Sequence, residues 1–131
     1  MHNCFSWYYW KLAIMTLDPS EIKKTASIRA LNDVLRTQGI GGQVIVVGGL
    51  AQMEDDGFRQ KVVTAVRKQK IVTGDKDDPY SEHDFGQVVV DGQKFLWKID
   101  YYDLDYKYAS EAPENAKITQ RVLSIMFASD Y

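Results

Sequence analysis

Between Lys94 and Tyr102 the chain carries a two-residue period. Phe95, Trp97, Ile99 and Tyr101 alternate with Lys94, Lys98, Asp100 and Tyr102, the period of a half-buried strand. Upstream, Val88-Val89-Val90 runs into Asp91-Gly92, the dipeptide that accepts positive φ at both centres of a type I′ turn. A two-residue loop places Val90 opposite Gln93 and fixes the register of the whole hairpin. Val88 then faces Phe95, Gly86 faces Trp97, Asp84 faces Ile99 and Glu82 faces Tyr101. On the other side Phe85 faces Lys98 and His83 faces Asp100. The first side reads as core, with Gly86 leaving room for the indole. The second gathers His83, Lys98 and Asp100.

Elsewhere the period is helical. Asp18-Pro19-Ser20-Glu21 offers an N-cap carboxylate, proline at the first helical position and an acid in the first turn, which together predict a helix start. The helix is expected to reach about Gln38, with Ile28, Leu31, Val34 and Leu35 inward and Lys23, Lys24, Arg29 and Arg36 on the wet side. Val44–Val47 is a continuous β-branched run and predicts a strand buried on both faces. Gly48-Gly49 reads as a turn, because neither G-x-G-x-x-G nor a P-loop pattern surrounds it. Glu54-Asp55-Asp56 opens a second helix that buries Phe58, Val62, Ala65 and Val66. Ile71-Val72-Thr73 predicts a short strand and Gly74–Ser81 a loop. A final helix is expected from about Glu114 to Ser129, burying Ile118, Val122, Ile125 and Met126. The order implies an α+β fold: a small, mostly antiparallel sheet with a central β-hairpin and helices on one face, a two-layer sandwich. Residues 16–131 are expected to form a single α+β domain, and residues 1–15 an aromatic leader or accessory segment. Helices over the Phe95/Trp97/Ile99 side would leave the His83/Lys98/Asp100 side open.

Charge changes this picture more than composition does. The net charge of −2 hides an asymmetry: ten Lys/Arg against six Asp/Glu in residues 1–70, then six against twelve in residues 71–131. The acids concentrate between Asp75 and Asp105, among Tyr80, Phe85, Trp97, Tyr101, Tyr102 and Tyr106. Such a surface repels nucleic-acid phosphate and attracts a basic partner. A single cysteine, Cys4, excludes an internal disulfide framework and a cysteine-based zinc site, and fits a reducing cytoplasm. The acids from Asp75 onward fail the EF-hand spacing, since the twelfth position is Gly86. No metal and no cofactor are expected. Met1–Ile14 lacks the basic start and cleavage site of a signal peptide and is too short to span a bilayer.

Four stretches carry a resemblance. Ile28-Arg29-Ala30-Leu31-Asn32-Asp33, Glu82-His83-Asp84-Phe85-Gly86, Trp97-Lys98-Ile99-Asp100-Tyr101-Tyr102-Asp103 and Arg121-Val122-Leu123-Ser124-Ile125-Met126 resemble the proteobacterial domain-of-unknown-function family numbered 3768, over about residues 26–131. The resemblance implies no catalytic residues. It does imply an accessory protein of plasmids, phages and related elements, and hence a host-directed binding role.

Two functions compete on these residues. The first is a non-enzymatic interaction protein of a mobile element. It would bind a basic host protein through Glu82, His83, Asp84, Lys98, Asp100, Tyr102, Asp103, Asp105 and Tyr106. An inhibitor of CRISPR or restriction systems would be one such case. The second is a small hydrolase or nuclease in which His83, beside Asp84, is a general acid or base oriented by Asp100, with Lys98 stabilising developing negative charge. Neither a Ser nor a Cys nucleophile is placed by the motifs, which favours the first.

Overall fold

A computed structural model describes residues 18–71, 78 and 80–131. The expected strand at Ile71–Thr73 falls largely outside the described residues, as does the aromatic leader.

Helix α1 (Pro19–Gln38) begins as predicted, with the Asp18 carboxylate accepting from Glu21 N at 2.9 Å, and Gly39 closes it at φ 71°. Strand β1 (Gln43–Val46) follows, then the five-residue helix α2 (Gly48–Gln52) and helix α3 (Asp56–Lys68), capped by Asp55. Gly48-Gly49 is therefore a helix start, not a turn. The hairpin comprises β2 (Phe85–Val90) and β3 (Gln93–Tyr102), with Asp91 and Gly92 both at positive φ. Its register is the expected one from Val90↔Gln93 to Phe85↔Lys98. A 3₁₀ turn (Ala116–Ile118) leads into β4 (Gln120–Phe127), and a second 3₁₀ turn (Ala128–Asp130) precedes Tyr131.

The predicted C-terminal helix is thus a strand. Its run Val122-Leu123-Ser124-Ile125-Met126 is buried at every position, because β4 lies inside the sheet with side chains packed on both faces. Val122, Ile125 and Met126 mimic a helical stripe only because their neighbours are buried too. Ile118, expected inward, is exposed.

The sheet order is β1-β4-β3-β2. β2, β3 and β4 are antiparallel neighbours, while β1 pairs with β4 in parallel. The architecture is α+β with a mixed sheet. β1 was expected to be buried on both faces, but it is an edge strand with Ile45 exposed.

The core lies between sheet and helices. Leu35, Leu50, Val62 and Val66 meet Val90, Phe95, Trp97, Ile99, Leu123 and Ile125. Gly86 sits directly under Trp97, where a Cβ would come within 2.6 Å of three indole atoms. The indole Nε1 donates to Gln69 Oε1 at 2.8 Å, and Gln69 Nε2 donates to the Gln87 carbonyl at 2.8 Å.

The buried stripe of α1 is Ile28, Asn32, Leu35 and Arg36, whereas Val34 is exposed. Arg36, expected in water, instead donates from Nη1 to the Val66 and Gln69 carbonyls at 2.8 Å each. It satisfies the open end of α3 and lies over the Trp97 ring at 5.5 Å. Burial lowers its pKa below the usual guanidinium range.

The face opposite the helices is not open across its width. Leu96, Val122, Ser124 and Met126 are buried there, and Tyr131 packs edge-on against Phe85. Exposure is greatest at the margins, at Val89 and Ile45.

Candidate functional site

Antiparallel pairing continues one step past β2, with Ile99 N donating to the Asp84 carbonyl at 2.8 Å. Beyond that the chain leaves the ladder. Ser81 and His83 adopt φ of 57° and 58°, a left-handed conformation costly for residues other than glycine. The alternation that would have set His83 against Asp100 is broken there.

Surrounding contacts hold this strained segment. The Asp78 carboxylate accepts from Glu82 N at 2.9 Å and from His83 N at 3.0 Å. From α1, Arg29 donates to the Ser81 carbonyl and Asn32 to the Glu82 carbonyl, both at 3.0 Å. Asp33 Oδ1 lies 2.8 Å from His83 Nδ1. A carboxylate oxygen only accepts, so Nδ1 carries the hydrogen.

Asn32 joins this segment to the sheet. It is fully buried; its Nδ2 also donates to Tyr101 Oη at 2.7 Å, and its Oδ1 accepts from Arg121 Nε at 3.0 Å. Arg121, only 2% exposed, lies over the Tyr101 ring at 5.2 Å and donates from Nη2 to the Pro113 carbonyl. Asn32 and Tyr101 thereby connect α1, the Glu82 segment, β3 and β4. The four stretches singled out in the sequence meet at this one polar knot.

Electrostatics sharpen it. Burial, then the neighbouring carboxylates Asp84 and Asp78, push the Glu82 carboxyl up to about 7. Asp84 is raised for the same reasons, burial first and Asp78 next. Tyr101 is raised by burial and by Glu82, and burial lowers Arg121.

The sign of the linkage is fixed. Glu82 is more easily protonated folded than unfolded, so its stability contribution is greatest below pH 4.5 and is lost as pH rises toward about 7. Because the carboxyl is only about half buried, solvent screening reduces the size of the effect. Glu82→Gln is expected to melt at a temperature that exceeds wild type by a margin widening between about pH 4.5 and 7, then constant. A margin independent of pH would remove Glu82 as the titrating group.

Other expected site residues lie elsewhere. His83 is buried and turned toward α1, while Asp100 pairs with Lys98 at 3.1 Å. The His83–Asp100 dyad of the hydrolase reading therefore does not form. Asp100 instead holds the Lys98 ammonium charged to higher pH than usual. Glu82, Asp84, Lys98, Asp100, Tyr102 and Asp103 are partly exposed, and Asp105 and Tyr106 are exposed. Asn32, Asp33, Asp78 and Arg121 were not singled out as site residues. Asn32 was legible only as a polar residue four positions after Ile28 and three before Leu35, inside the apolar stripe of α1. Among the described residues no cluster of three or more His, Cys, Asp or Glu has metal-binding geometry, and no helix is long and apolar enough to cross a membrane.

Fold and site define a small mixed-sheet α+β protein built on the buried Asn32 and Arg121, which meet Tyr101 beside the Glu82 segment. Residues 46–130 match the family described as protein of unknown function (DUF3768), and the chain belongs to that family. The match begins after α1, so Arg29, Asn32 and Asp33 lie outside it while holding a segment that lies within it. No curated protein and no solved structure matches the chain.

Proposed function

We propose that this is a non-enzymatic interaction protein that binds a basic partner protein through its acidic, tyrosine-bearing surface. The observation that carries this reading is the loop after β3. Asp103 accepts on Oδ1 from Asp105 N at 3.2 Å and Lys107 N at 3.0 Å, and its own N donates to the Tyr108 carbonyl at 2.8 Å. Tyr106 takes φ 58°, packs tilted against the Tyr102 ring at 6.1 Å between centroids and accepts from Gln43 Nε2 on its hydroxyl. The tied loop leaves Leu104, Tyr106 and Tyr108 exposed at 52%, 44% and 75%, beside Asp105. Large side chains held outward on a fixed loop bind with little ordering cost, and acids around them select a basic surface. A host nucleic-acid-gripping protein met by a mobile element, such as a CRISPR or restriction component, is the specific form of this proposal.

The test is a pull-down from a proteobacterial lysate followed by affinity measurement. Binding is expected to weaken at least tenfold between about 0.05 and 0.5 M salt, and Tyr108→Ala to cost on the order of 1–2 kcal/mol. An affinity indifferent to salt would sink the acidic-surface reading.

A further inference from the structure

We infer that the sheet face opposite the helices is a docking surface for the chain's own aromatic segment, residues 5–10. This goes beyond the basic-partner reading and does not depend on it.

The register defines the face. Leu96, Lys98 and Asp100 alternate along β3 with the core residues Trp97 and Ile99, so they point away from the helices. On β4 they pair with Met126, Ser124 and Val122. Phe85 of β2 pairs with Lys98, and Ile45 of β1 with Ser124. The helical members of the core cluster, Leu35, Leu50, Val62 and Val66, all meet the other side. Two aromatic side chains rim the face. Tyr131 lies edge-on against Phe85, and Tyr106 packs on Tyr102 while its hydroxyl accepts from Gln43. The floor is Leu96, Val122, Ser124 and Met126, exposed at only 7%, 8%, 7% and 5%. A sheet side withdrawn from water to this degree carries a second layer, and the described helices supply theirs to the opposite side.

The chemistry of the face selects its occupant. Beside the apolar floor lie Ser124 and the Lys98–Asp100 ion pair, 3.1 Å long and half-buried. An aliphatic cover would leave those polar groups unmet. Tyr and Trp combine a large apolar body with one hydrogen-bonding tip, and their rings attract a cation such as the Lys98 ammonium. Ahead of α1 the chain carries such a set in Phe5, Trp7, Tyr8, Tyr9 and Trp10.

Reach permits the docking. Asn32 ties α1 to Tyr101 at the end of β3, and the helix runs back from there to its cap, Asp18, about 20 Å along its axis. Trp10 can lie up to about 26 Å from that cap and Phe5 up to about 43 Å. That suffices to turn round the Tyr101 end of the sheet and cross a face about 15 Å wide.

The test places a nitroxide on Cys4, the single cysteine, in the full chain. Its broadening of methyl signals falls steeply with distance and so reports which side of the sheet the segment covers. With a diamagnetic label as reference, Ile45, Leu96, Val122 and Met126 should broaden several-fold more than Val62, Leu123 and Ile125. The contrast should vanish when Trp7→Ala and Trp10→Ala are combined. Broadening of neither set, broadening of the helix side instead, or a contrast that survives loss of both tryptophans overturns the inference. So does equal broadening in isotope-labelled Cys4→Ser chain mixed with unlabelled nitroxide-bearing chain, which assigns the face to a second copy.

Discussion

Trp97→Ala is expected to destabilise the fold by about 3–5 kcal/mol, and Gly86→Ala by about 1–3 kcal/mol. The two costs should not add. Trp97 is fully buried, its indole fixed by Gln69 and covered by Arg36. A methyl on Gly86 would meet that ring at 2.6 Å, and the ring has nowhere to turn. Once the indole is gone the same methyl enters the vacated space, so Gly86→Ala should cost close to nothing in the Trp97→Ala background. Denaturant unfolding of the four proteins measures the coupling directly. Additive losses would mean that something other than the indole demands glycine at this position.

The second large effect lies at the polar knot. Arg121→Ala should cost about 3–5 kcal/mol, because it removes the ring contact with Tyr101 and leaves the buried Asn32 Oδ1 without a donor. Lysine should rescue little of this, since a single ammonium cannot both stack on Tyr101 and reach Asn32 and Pro113. Arg121 is also the cation that opposes the upward shift of Glu82. Its loss should therefore steepen the fall of stability with rising pH around neutrality. A change below about 1 kcal/mol in urea unfolding would show that the knot relaxes around the missing side chain.

Where local chemistry decided the structure, the sequence was legible. Asp91-Gly92 set the hairpin, Asp18 and Asp55 set the helix starts, and the register from that turn brought Gly86 opposite Trp97. Tertiary context decided the rest. β4 was mistaken for a helix because periodicity cannot separate a strand buried on both faces from an amphipathic stripe. β1, equally apolar, proved to be an edge, since nothing in Val44–Val47 says whether a second neighbour exists. Arg36 and Asn32 were hidden by their polarity. Their partners are backbone carbonyls, Tyr101 and Arg121, distant along the chain, and no local rule anticipates them. His83 was misplaced because alternation was extended through Ser81 and His83, two residues that adopt left-handed φ.

Gln69 has a consequence beyond fixing the indole. With Val90↔Gln93 and Asp84–Ile99 joined through their backbones, the carbonyls and amides of Phe85, Gln87 and Val89 point away from β3. The amide of Gln69 occupies the central carbonyl of that row, on the side of β2 where, among the described residues, no strand pairs. A foreign strand approaching this margin would have to displace it, and with it the Trp97 hydrogen bond. The opposite margin is β1, only four residues long. A protein that keeps one margin plugged and the other short gives little purchase to strand-by-strand aggregation.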